Sequence, residues 1–144
     1  MPQPNDAELT HVYAASAGLD VEDNEPNTPA PGGQAPAANF DLHVEAVAGV
    51  ALGAGGGNYA LTLTCTDETL SAINNTMSRS FNQEFKAADG WNQGGLAGNF
   101  VKEQVIPITV PANVRGHVFH YDGTLVAVDN GVVSFMGSNR FILV

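Results

Sequence analysis

In the stretch GHVFHYD, residues 116–122, His117, His120 and Asp122 are of the types that hold zinc, because imidazole nitrogen and carboxylate oxygen are good ligands for that ion. Spacing argues against a shared ion. The stretch reads as a strand, and on a strand residues three apart point to opposite faces, so His117 and His120 would meet only across a bulge. The expectation is therefore no metal, with one surface histidine and one partly buried. His43 alternates with Asp41 and Glu45 on the polar side of its own strand, where a solvated or salt-bridged role is expected.

Other reactive types fare no better. Cys65 lies in phase with Tyr59, Leu61 and Leu63, which makes it a small buried hydrophobe rather than a nucleophile. LGAGGGNY contains G-x-G, but a phosphate-binding turn needs a helix after it, and here a strand follows. Asp67 with Glu68, and Asp122 with Asp129, have the ordinary turn and cap explanations. No Ser-His-Asp spacing stands out. No catalytic residue and no cofactor are therefore assigned. Trp91, followed by Asn92 and Gln93 in a loop of Gly, Asn and Gln, is the one aromatic residue placed as a sugar-stacking side chain is, which makes a carbohydrate-binding or adhesin-like module the alternative reading.

Charge narrows the partners. The 144 residues carry 15 acids against five Lys and Arg, a net charge of −10. Residues 1–38 hold Asp6, Glu8, Asp20, Glu22, Asp23 and Glu25 with no Lys or Arg, and six of the eight prolines. Neither a nucleic-acid backbone nor an anionic membrane is expected as a partner, since both need clustered basic residues. A single cysteine leaves stability to packing. The N-terminal sequence shows no basic and apolar export signal, and no stretch is apolar for long enough to span a bilayer, so a soluble protein is expected.

The elements that must position these residues divide at about residue 38. NDAELTHVYAASAG reads as a short helix over 6–17, capped by Asn5, with Leu9, Val12 and Tyr13 on one face. EPNTPAPGGQAPA, with Pro26, Pro29 and Pro31, reads as extended chain. From Phe40 the period becomes two: Phe40, Leu42, Val44 and Ala46 form one strand and Tyr59, Leu61, Leu63 and Cys65 a second, expected to pair as a hairpin around a Gly-rich loop. DETLSAINNTM suggests helical turns with Leu70, Ile73 and Met77 inward, SRSFNQEF an edge strand, and FVKEQVIPITVP an extended segment at a sheet edge. In the last third, Asp122-Gly123 and Asn130-Gly131 read as hairpin turns of a four-strand meander.

Seven or eight short strands in about 105 residues predict an all-β fold, an antiparallel sandwich or jelly roll over 39–144, preceded by an acidic Pro-rich arm over 1–38. A rigid β-domain with such an arm is organised as an assembly subunit is. Leu9, Val12, Tyr13, Pro26, Pro29 and Pro31 would contact a neighbour, and sheet edges offer a second route to association. The organisation is similar to that of accessory and decoration proteins of bacteriophage capsids, small β-domains added to a shell, and that likeness carries no residue with it. It implies a non-catalytic subunit on a virion surface, with protein partners that are copies of itself or coat-like neighbours.

Overall fold

Alternation of apolar and polar side chains suits a strand with one buried face, and it shapes most of this architecture. The computed structural model describes residues 3–28 and 34–144. It is mostly β, with two antiparallel sheets. In chain order the strands are β1 (Ala7–Ser16), β2 (Asn39–Ala48), β3 (Asn58–Asp67), β4 (Ala72–Ile73), β5 (Arg79–Glu84), β6 (Trp91–Gln93), β7 (Phe100–Thr109), β8 (Val118–Ala127), β9 (Val132–Gly137) and β10 (Phe141–Ile142). A short helix, α1 (Val50–Gly55), joins β2 to β3.

The first sheet has the order β1-β2-β7-β6. In the second, β8 and β3 pair along their length at the centre; β9 and β10 share the other edge of β8, and β5 and β4 that of β3. The inward residues form one sandwich-like core: Phe40, Leu42 and Val44 from β2, Leu61, Leu63 and Cys65 from β3, Ile106 and Ile108 from β7, and Phe119, Tyr121 and Leu125 from β8. Pro107 is tolerated because it lies in the half of β7 that β6 does not cover, where a missing donor breaks no ladder bond on that side.

The N-terminal segment departs most from expectation. The helix read over 6–17 is the strand β1, paired with β2 from Ala7 to Ser16. The pairing slips between Leu9 and His11, so Thr10 is an extra residue, a β-bulge that reverses which parity faces the core. Ala7 and Leu9 point inward before it and Val12 and Ala14 after it. A three-turn helix is marginal alone, whereas a strand beside β2 satisfies its backbone and buries the same apolar residues. Leu9 and Val12 are thus core residues, not anchors for a neighbour, and the folded unit begins near residue 7 rather than 39.

After β1 the chain turns back over its own sheet. Tyr13, buried beneath this strap, donates its hydroxyl to the Asp20 carbonyl (3.1 Å), and Gly18 N–H bonds the Asp41 carboxylate (2.8 Å). Asp23 N–H bonds the Ala14 carbonyl (2.9 Å). Pro26 is buried against the same chain, so it too is unavailable to a neighbour; Pro29 and Pro31 lie outside the described residues.

Three further expectations are corrected. β2 and β3 do not form a hairpin, because α1 carries the chain from one sheet to the other. Asp122-Gly123 is no turn: β8 runs straight through it. The helical turns expected after Asp67 are replaced by a tight turn and β4, leaving Leu70 and Ile73 exposed while Met77 is buried.

Candidate functional site

Trp91 is a core residue. It is 1 % exposed, its indole N–H donates to the Tyr59 hydroxyl (3.0 Å), and its ring packs against Phe85 and edge-on to Tyr59. The indole has no free face on which a sugar could stack, because β6 pairs Trp91 with the inward Lys102 and so points it into the sandwich. Asn92 and Gln93 are exposed, but their amides serve their own loop, donating to the carbonyls of Gly90 (3.3 Å) and Gly98 (3.0 Å). Lys102 is itself buried and donates its Nζ to the Asp89 carbonyl; burial pulls its pKa below 10.5, opposed by the Asp89 carboxylate. The Trp91 loop is a packed corner of the fold.

His117, just before β8, and His120, within it, meet different carboxylates. His117 Nδ1 lies 2.7 Å from the Asp67 carboxylate, which is almost fully buried. His120 lies instead between Glu68 (3.0 Å) and Asp122 (3.2 Å), and Glu68 also meets Arg140 (3.0 Å). Among the described residues no group of three potential ligand side chains is arranged so that it could hold a metal ion. Cys65 is fully buried, and desolvation pushes its thiol up to about 12, far from the thiolate that nucleophilic chemistry needs.

The outer face of the first sheet is acidic. Glu8, Asp41, Glu45 and Glu103 project from β1, β2 and β7, and the strap adds Asp20 and Glu22. His11 sits between Glu45 (3.2 Å) and Glu22 (3.4 Å). His43, expected to be solvated or salt-bridged, is 4 % exposed: it stacks on Tyr13 with ring centroids 4.7 Å apart and donates Nε2–H to the Leu19 carbonyl (2.9 Å). The strap covers it. No Lys or Arg lies on this face among the described residues.

The outer face of the second sheet is of another kind. The register places Phe135, Thr124, Thr62 and Ser80 in one row across β9, β8, β3 and β5. Val133, Val126, Ala60 and Asn82 form the next. Thr64 and Thr66 continue the face towards Ile73 on β4. Phe135 is 72 % exposed, and Val133 and Ile73 are exposed beside it. Charge lies at Glu84 on one end, at Asp122 and the His120–Glu68 pair on the other, and at Arg79 beside Ser80 on the β5 edge. A shallow depression between β3 and β5 is lined by Thr62, Thr64, Ile73, Ser78 and Ser80 and by one charged residue, Arg79.

This neutral face was missed in the sequence, although VVSFM carried its signal. A strand with apolar residues on both parities cannot bury both at a sheet edge, so either Val133 and Phe135 or Val132 and Met136 must face out. No helix among the described residues is long and apolar enough to cross a membrane. In comparisons with protein-family models, curated proteins and solved structures, nothing matches the chain.

Proposed function

We propose that this chain is a non-catalytic structural subunit that docks onto a larger assembly, as decoration and accessory proteins do on a viral capsid. The docking surface is the neutral outer face of the β3/β8 sheet. The observation that supports this reading is the contrast between the two faces: a chain of net charge −10 keeps eight of its 15 acids on the strap and the β1/β2/β7 face, and at the centre of the other face leaves rows of Thr, Ser, Ala, Val and Phe with Glu84 and Asp122 at the ends. Interfaces are marked less by bulk hydrophobicity than by depletion of charge at their centre and by exposed aromatic anchors, and this face has both features. The acidic face is then directed away from the assembly and keeps it soluble.

The arm contributes less than its composition suggests, because the described part of it, through Thr28, is held on the subunit's own sheet. Hydroxyl-radical footprinting of the isolated protein and of the particle it co-sediments with in its native source tests the proposal. Oxidation of Phe135 should be strong in the first and suppressed in the second, with Tyr13 low in both. Equal oxidation of Phe135 in the two samples would overturn this docking face.

A further inference from the structure

We infer that the neutral face of the β3/β8 sheet takes a second copy of this chain, the two sheets packing face to face about a two-fold axis that runs parallel to the strands, midway between β8 and β3. The inference rests on the reading of that face as a docking surface and names its occupant.

The first argument is shape. Each row is bulky on the β9/β8 side and small on the β3/β5 side: Phe135 and Thr124 against Thr62 and Ser80, then Val133 and Val126 against Ala60 and Asn82. A two-fold axis parallel to the strands keeps the height of every row and exchanges its two ends. It therefore sets Phe135 of one copy over Ser80 and the adjoining depression lined by Thr62, Thr64 and Arg79 of the other, and Val126 over Ala60. The contact is isologous, so both knobs are seated at once. Face-to-face sheets pack about 10 Å apart with strands nearly aligned, which this axis satisfies.

The second argument is charge. Two copies of net charge −10 repel through any surface that carries the acids, and the β1/β2/β7 face carries them without a compensating base. Across the neutral face the same axis places Asp122 opposite Thr64 of the second copy, where a hydroxyl can donate to the carboxylate, rather than opposite Asp122. Glu84, paired with Asn58, falls at the far end over the Val128 turn. That turn carries Asp129, so like charges meet at this exposed end, while the centre of the face brings none together.

The third argument is area. Four strand positions at about 4.8 Å and some six residues at about 3.3 Å give a face of roughly 19 by 20 Å, and two such faces cover about 760 Å² together. That is below the roughly 1,000 Å² that a stable specific interface covers, so the dimer is expected to be weak, transient and concentration-dependent, with a dissociation constant of about 1–100 μM.

Sedimentation velocity on the full chain over a concentration series up to about 0.3 mM, well above that range, reads the equilibrium. The wild type should pass from monomer to dimer. Phe135→Asp, at a position exposed in the subunit, should keep the native circular dichroism spectrum and raise the dissociation constant at least about tenfold, as loss of an aromatic anchor does. Phe135→Asp combined with Ser80→Lys in one chain should restore association, because the axis brings the carboxylate introduced on β9 of each copy to the ammonium introduced on β5 of the other. A wild type that stays monomeric throughout, or a Phe135→Asp variant that dimerises as the wild type does, would overturn the inference. A double variant no stronger than Phe135→Asp alone would overturn the two-fold register. A monomeric wild type whose Phe135 is nonetheless protected in the native particle would remove the second copy and leave the docking surface standing.

Discussion

Asn27 holds the backbone of Val144 by both ends of its side-chain amide: Nδ2 donates to the Val144 carbonyl (2.8 Å) and Oδ1 accepts from the Val144 N–H (2.9 Å). Asn27 is fully buried, so this is a strand-like pairing made by a side chain, and it ties the acidic leader to the far end of the chain. Asn27→Ala should lower the free energy of unfolding by about 1–3 kcal/mol, because two hydrogen bonds to part-buried backbone groups are lost together and only the Val144 carbonyl keeps another donor, Arg115. Equilibrium urea denaturation measures it, and an unchanged midpoint would mean that the leader contributes nothing to the fold.

The edge strand β1 should be indispensable. Leu9→Ala removes a 3 % exposed side chain from the core and is expected to cost about 2–4 kcal/mol. Removing residues 1–16 altogether should leave a product that binds hydrophobic dyes and has lost its near-ultraviolet circular dichroism. A cooperative, native-like transition in that truncated protein would show that residues 39–144 suffice.

Gly123 lies where β8 passes closest to β1. A Cβ there would stand 3.2 Å from the side chains of both Leu9 and Val12 and 3.3 Å from the Met136 carbonyl. Gly123→Ala should therefore destabilise by about 1–3 kcal/mol through overpacking. Gly55→Ala, at a helical position with no atom nearby, should be neutral or slightly stabilising, by up to about 1 kcal/mol. Calorimetric melting temperatures that move equally in the two variants would refute the close approach.

Alkaline pH should unfold the protein from within. Burial raises the Cys65 thiol from 9.0 and the Tyr59 phenol from 10.0, each to about 12, and it raises Tyr121 in the same direction. A group whose pKa is raised on folding contributes stability that is complete below its unfolded value and lost as pH climbs towards the folded one. The depressed Lys102 acts oppositely, its burial cost easing as pH rises towards 10.5. The urea midpoint should thus hold to about pH 9 and fall beyond it. Tyr59→Phe should flatten the decline above about pH 10, and a wild-type midpoint that stays level to about pH 11 would contradict the burial of these groups.

Strands whose alternation is unbroken, such as β2, β3 and β7, were legible because each places one parity in the core. β1 was not, and Thr10 is the reason: the bulge changes parity between Leu9 and Val12, so a strand displays apolar residues at the spacing of a helix face. Asp122-Gly123 carries the residues of a tight turn, yet its glycine serves the approach of β1, a tertiary demand absent from the local sequence. Trp91 looked exposed because its neighbours are polar, while its direction is set by the register of three residues on β7. The neutral sheet face needs the pairing of β9, β8, β3 and β5 to become visible, since its residues come from four separate segments.

The grip of Asn27 on Val144, and of the Leu9 N–H on Ser134 Oγ (2.9 Å), also bears on how the protein is made. Both contacts join residues more than a hundred positions apart, so β1 is translated long before the chain that seals it. At roughly 5–20 residues per second the ribosome leaves this apolar edge waiting several seconds or more. Throughout that interval the nascent chain presents Leu9 and Val12 without a roof, and the six acids of the leader are the nearest safeguard against their sticking to another chain. Reversing those charges should lower the yield of folded protein during synthesis more than it lowers the stability of the finished molecule.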